Sequence, residues 1–186
     1  PIFLIEKISW SSIDHFISVS ESIIQWYKVK LGEKKSSLIL NSPMIEENHY
    51  DTANYFHKLY NIPINSLVFV YLGILDKGRG IDFIIDAFSN SAVKSHVVFV
   101  GYGAYDKKIK RASLKTKNIH FHAAVPQEDV VSLVKNADYG LCIIENVSLS
   151  DYFCLPNKLF EYIFAGLPVL ASEFPDISNL IIKYDL

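Results

Sequence analysis

Cysteine, arginine and long apolar runs are scarce in this chain, and each scarcity removes a class of protein. Two cysteines, Cys142 and Cys154, make no disulfide framework, so a reducing cytoplasm is the default setting. No apolar run approaches the ~18 residues of a membrane-spanning helix. The opening stretch, Pro1 to Lys7, has neither the basic start nor the long apolar centre of a signal peptide. Basic and acidic residues nearly balance, 18 against 20 for a net charge of −2, which leaves no basic footprint for nucleic acid. Arginine occurs only at 79 and 111; every other basic residue is lysine. Internal repeats and low-complexity tracts are absent. What the chain does have is apolar mass: 50% of its 186 residues are hydrophobic and mean hydropathy is +0.19. That suffices for a sizeable core, in one domain plus a fragment or in two very small domains.

Hydrophobic patterning predicts an alternation of strands and helices. Residues 13–19 read as a buried strand, 21–31 as a helix stopped by Gly32, and 37–40 as a short strand closed by Asn41-Ser-Pro43. These units predict one piece of sheet, followed by a linker or hinge over 43–48 and an aromatic-rich helix near 52–60. From Leu67 the alternation is regular, with strands expected at 67–72, 96–100, 119–122, 139–144 and 167–171. Ile81, Ile84, Ile85 and Phe88 fall at i, i+3, i+4 and i+7 of a helix. Further helices are expected after Gly103, from Pro126, over 156–165 and over 175–182, and 145–155 reads as a long loop. This order predicts an α/β fold, a Rossmann-like parallel sheet with helices on both faces. Ligands then sit beyond the carboxyl ends of the strands.

The most informative stretch runs from Cys154 to Ser172. Pro156 suits a first helical position, where its missing N–H is not needed. Gly166 is placed to end the helix in a left-handed conformation, and Pro168 keeps it from resuming. Leu159, Phe160, Ile163 and Phe164 predict one apolar stripe, with Lys158, Glu161 and Tyr162 on or near the other side. A helix mouth with Pro156, Asn157 and Lys158 is a natural seat for a phosphate, and Glu161 can accept hydrogen bonds from a sugar hydroxyl. The plainer readings are a solvated Lys158 and a Glu161 that serves the helix dipole, worth ~0.3–1 kcal/mol.

Other segments carry the same double character. In Gly73-Ile-Leu-Asp-Lys-Gly-Arg-Gly80, glycines let backbone amides approach a phosphate while Lys77 or Arg79 supplies charge; otherwise it is a flexible loop. Gly101-Tyr-Gly103 is weak as a dinucleotide fingerprint, because a third glycine and a suitably spaced acid are missing. His120 and His122 can share a strand face, but no Cys or acid accompanies them at metal spacing, so no metal is expected. Lys107, Lys108, Lys110, Arg111, Lys115 and Lys117 make a basic helix surface, either solvated or touching anionic lipid. Trp10, Trp26 and Tyr27 read as packing residues or as an interface.

Pro-Asn-Lys-Leu-Phe-Glu-Tyr at 156–162, with its Gly-Leu-Pro exit, resembles the donor-binding motif of the retaining GT-B glycosyltransferases of family 4, the group 1 glycosyltransferases. The likeness is greatest to their bacterial polysaccharide branch. Three further segments follow the family's order: Arg79-Gly80 before an Ile-rich helix, Gly101-Tyr-Gly103 after a Val-rich strand, and Asp14 to Ser20 with Leu38 to Pro43. The resemblance implies that 1–43 ends an amino-terminal acceptor domain and crosses into a carboxyl-terminal donor domain at 44–186, itself short at its end. It implies a fragment of a longer enzyme, inactive alone, that transfers a sugar with retention in bacterial surface-polysaccharide synthesis.

The implied partners are a nucleotide sugar (UDP-, GDP- or ADP-linked), a glycan or lipid-linked acceptor and, peripherally, the inner membrane face. No cofactor or metal is implied. Gly73, Arg79, Gly80, Pro156, Asn157, Lys158 and Glu161 are the implied donor-binding residues, Glu161 at the ribose; no catalytic residue is assigned. Two departures stand out. Ile74 replaces a frequent Arg, and Phe153 occupies the place of a first motif Glu eight residues before Glu161, with Asp151 close but off register. A GT-B-fold sugar-nucleotide epimerase and a catalytically silent nucleotide-binding or association domain are the alternatives.

Overall fold

A computed structural model gives the fold of residues 2–43, 50 and 53–184. It opens with α1 (Ile2–Ser9) and a 3-10 turn at Trp10–Ser12, then β1 (Phe16–Ser18), α2 (Glu21–Leu31) and β2 (Ser36–Leu38). Sequence patterning gives no warning of α1. Helix α2 starts at Ser20, whose hydroxyl accepts the Ile23 N–H, and ends at Gly32 with φ 99°. Strands β1 and β2 are parallel and pair only with each other, from Phe16 opposite Ser36 to Ser18 opposite Leu38. The small sheet is there, but shorter than 13–19 and 37–40 suggest, and it is not buried: Ile17 is 58% exposed. Aromatic packing holds this part together, with Trp10 stacked on Tyr27 at 5.7 Å and Trp26 edge-on to both Phe3 and Tyr27. All but Pro43 of the expected hinge lies outside the described residues, as does the start of the next helix. Its described part is α3 (Tyr55–Tyr60).

The remainder alternates as β3 (Val68–Ile74), α4 (Ile81–Ser89), β4 (His96–Tyr102), α5 (Asp106–Lys115) and β5 (Ile119–Ala123). It continues as α6 (Val130–Val134), β6 (Tyr139–Cys142), α7 (Leu149–Tyr152), α8 (Asn157–Ala165), β7 (Val169–Ala171) and α9 (Pro175–Tyr184). Every pairing is parallel and the order is β5-β4-β3-β6-β7. Both faces are covered, which explains the unbroken apolar runs in β3 and β4. Val70, Leu72, Val98 and Val100 pack with Leu133, Leu159 and Ile177 on one side. Tyr71, Val97 and Phe99 pack with Ile81, Ile84 and Ile109 on the other. Strands β3 and β4 run two residues further than expected, so Gly73 and Ile74 belong to the strand rather than to the loop after it. The loop expected at 145–155 contains α7, capped where the Ser148 hydroxyl accepts the Asp151 N–H.

Chain direction across the sheet reverses at β3: β4 and β5 lie on one side of it, β6 and β7 on the other. A crevice opens at such a switch point, beyond the carboxyl ends of the strands.

Candidate functional site

That crevice is a cavity of about 420 Å³, within the ~300–1,000 Å³ common for small-molecule sites. Its walls are Gly73 and Ile74 from β3, Gly101 and Tyr102 from β4, and Gln127, Pro156, Asn157, Lys158 and Glu161 from beyond β5 and β6. Arg79 also lines it, so six of the seven sequence-predicted residues meet here. The seventh, Gly80, stands outside the lining. It begins α4 in the left-handed region (φ 67°), and its N–H donates to Glu145 Oε1 at 3.2 Å. Glycine at 101 is required by close approach, because a side chain there would overlap the Gly73 carbonyl oxygen.

Helix α8 departs from its sequence reading in two ways. Pro156 has ψ 146°, an extended value, so it caps the helix and Asn157 takes the first helical place. The predicted stripe is also displaced: Phe164 is 47% exposed, whereas Glu161 and Tyr162 are buried. Tyr162 Oη accepts the Leu72 N–H at 2.8 Å and donates toward the carbonyls of Val70 and Leu141. It thereby fills the fork between β3 and β6. Gly140 makes this possible, since a Cβ at 140 would run into the Tyr162 ring.

The charged groups of the cavity are unequally engaged. Lys158 directs its ammonium over the face of Tyr71, 3.8 Å from the ring centroid, where Nζ is buried and meets no hydrogen-bond acceptor. Burial pushes that ammonium down to about 8, and Arg79 nearby adds to the fall. Arg79 is held by Asp151, Nη1 to Oδ1 at 3.2 Å, with Asp151 in turn accepting from the Ser148 hydroxyl. Glu161 Oε1 accepts from Gln127 Nε2 at 2.6 Å, and burial raises its carboxyl above the usual range. Buried Cys142 is pushed up to about 12 and Cys154 is also raised, so neither thiol is a ready nucleophile. Gln127 carried no signal as a site residue in the sequence, and Asp151 only an off-register likeness to a motif Glu, not a contact with Arg79. Each acts through a partner distant along the chain.

Positive charge without a fixed partner, a helix N-terminus and glycines at the ends of two strands converge here, which is chemistry for an anionic group such as a diphosphate. A larger groove, about 930 Å³, lies at the other end of the sheet beside Tyr60, Lys94, His96 and His120. Its imidazoles are already used: His120 stacks on Tyr60 with centroids 4.5 Å apart and bonds His96 across 3.0 Å. His122 is bonded to the Tyr55 hydroxyl. No helix among the described residues is long and apolar enough to cross a membrane.

Known proteins share this fold. Residues 66–184 match the family model described as glycosyl transferases group 1. A search of curated protein sequences gave no significant match. Among solved structures, Alr3699/HepE from Anabaena in complex with UDP-glucose aligns with a TM-score of 0.69 at 17% identity, over 90% of this chain and 47% of that one. WaaG, a glycosyltransferase involved in lipopolysaccharide biosynthesis, aligns with a TM-score of 0.65 at 18% identity, over 91% and 47%. Sucrose-phosphate synthase from Thermosynechococcus elongatus gives 0.67 at 16% identity, over 97% and 46%. The chain thus spans about half the length of these structures, whose common fold is the GT-B type.

Proposed function

Because this chain belongs to the group 1 glycosyl transferases, we propose that it is the nucleotide-sugar-binding part of an enzyme that passes a sugar to a glycan or lipid-linked acceptor. One observation carries the proposal: the buried, acceptor-less ammonium of Lys158 at the switch-point cavity. An unpaired buried charge is costly and persists where a ligand charge is to meet it. Lys158 and the first amides of α8 would hold the donor diphosphate, and Arg79 would join them on leaving Asp151. Glu161 would accept from the ribose hydroxyls.

These groups stabilise the charge that gathers on the diphosphate as the sugar departs. Residues 1–43 are read as the end of an acceptor domain and 44–186 as the donor domain; the separate two-stranded and five-stranded sheets support that division. Transfer needs both domains to hold donor and acceptor in attack geometry. Accordingly this chain alone should bind donor and not turn it over. Transfer of a hexose with retention, a role in bacterial surface polysaccharide, and work on the cytoplasmic side with the basic face of α5 near the membrane complete the reading. The UDP-glucose complex of HepE and the lipopolysaccharide role of WaaG support it.

Calorimetric titration with UDP, GDP and ADP tests the proposal. Binding of one of them, strongest for the correct base, is the expected outcome; silence with all three refutes it. The Arg79–Asp151 pair and Phe153 favour a second reading, a catalytically silent binding domain. Full-length protein that binds nucleotide without turnover, given donor and acceptor, would select it.

A further inference from the structure

Glu161 stands between two cavities. With Gln127 and Asn157 it lines the 420 Å³ crevice and also a smaller polar one, about 80 Å³, bounded by Asn41 and Ser42 of the segment that leaves β2. A glutamate side chain is free to turn its carboxylate toward either space. One hydrogen bond restrains it at their common wall: Gln127 Nε2 donates to Oε1 at 2.6 Å, and no other hydrogen bond to this carboxylate is made among the described residues. Gln127 is well placed to do this. It opens a 3-10 turn, Gln127–Asp129, anchored by the Asp129 N–H donating to the Pro126 carbonyl. That turn leads directly into the buried helix α6.

We propose that Gln127 is a positioning residue that fixes the Glu161 carboxylate with one oxygen committed and Oε2 left as the acceptor for a vicinal diol of the ligand. The proposal rests on the reading of Glu161 as the ribose-binding group and adds what holds it there. Two physical consequences follow from the clamp. Only one conformer of Glu161 is presented, so ordering it costs less when ligand arrives. The donated hydrogen bond also favours the charged form of a carboxyl that burial alone pushes toward neutrality, keeping it an acceptor. Gln127 itself is exposed, so truncating it removes no core contact.

The test compares UDP with 2′,3′-dideoxy-UDP, by calorimetry, on this chain, on Gln127→Ala and on Glu161→Gln. A hydrogen bond to a charged acceptor predicts that unaltered protein prefers UDP by about tenfold or more. In Gln127→Ala that preference should collapse toward unity through loss of UDP affinity, with dideoxy-UDP affinity and melting temperature unchanged. A full preference retained in Gln127→Ala but lost in Glu161→Gln overturns the positioning role and leaves the ribose reading standing. Equal weakening of both ligands in Gln127→Ala also overturns it. No preference in the unaltered chain overturns the ribose reading and this proposal with it.

Discussion

The Lys158 ammonium lies 3.8 Å from the centroid of the Tyr71 ring and reaches no hydrogen-bond acceptor. The ring face offsets part of the lost hydration. The rest appears as an ammonium whose proton is held only to about pH 8, against 10.5 for an ordinary lysine. An anion placed against it favours the charged form and raises that value. Above the second ionisation of a terminal phosphate, at about pH 6, diphosphate affinity should therefore hold until pH approaches 8 and fall beyond it, up to about tenfold per pH unit, with proton uptake on binding near pH 8. Lys158→Met keeps the stem and drops the charge. It should raise the melting temperature in thermal melts while weakening UDP at least tenfold, and titration calorimetry in two buffers of different ionisation enthalpy reads the lost affinity and the lost proton uptake.

Asp151 competes with any phosphate for Arg79. Its ion pair is partly exposed, with 37% of the Arg79 side chain accessible, so the pair itself is worth only about 0.2–1 kcal/mol. Asp151→Asn should release the guanidinium at little cost in stability and tighten UDP binding several-fold, less so at high salt. Unchanged affinity at low salt would mean that Arg79 takes no part.

Tyr162 ties the fork between β3 and β6 through its hydroxyl. Tyr162→Phe leaves the buried Leu72 N–H without its acceptor, and urea unfolding should show a loss of about 1–3 kcal/mol. Gly140→Ala should also destabilise the chain, through overpacking against the same ring, by roughly 1–3 kcal/mol.

Burial and the neighbouring His96 hold His120 down to about 4, so it is neutral in the fold. For a group depressed in this way, stability is full above the unfolded value of 6.5 and declines as pH falls toward 4. Thermal melts from pH 7 to pH 4 should show that decline. His120→Phe, which keeps the stack on Tyr60, should flatten the curve in that window.

Much of this was legible in the sequence, and the limits have physical causes. The 3.6-residue period and the Gly166 exit define α8, while Val-rich runs define β3 and β4, because those signals are local. Burial of Glu161 and Tyr162 was not legible: α8 packs against α6 as well as the sheet, so its polar-looking side has no solvent to face. The cavity's glycines and Lys158 follow from strand–loop–helix order alone. Its couplings do not, since Gln127 reaches 34 residues along the chain to Glu161 and Arg79 reaches 72 to Asp151. Such pairs are set by which helix crosses which strand end. The one-residue error at Pro156 comes from ψ, which proline leaves free while fixing φ.

The central claim is that the switch-point cavity binds a nucleoside diphosphate. Amide chemical-shift mapping of the labelled chain during UDP titration tests it most directly. Saturable shifts gathered at Gly73, Gly101, Asn157, Lys158 and Glu161 are the predicted result. Shifts confined to the opposite groove, around Lys94, Lys117 and His120, or no shifts at millimolar UDP, would contradict it.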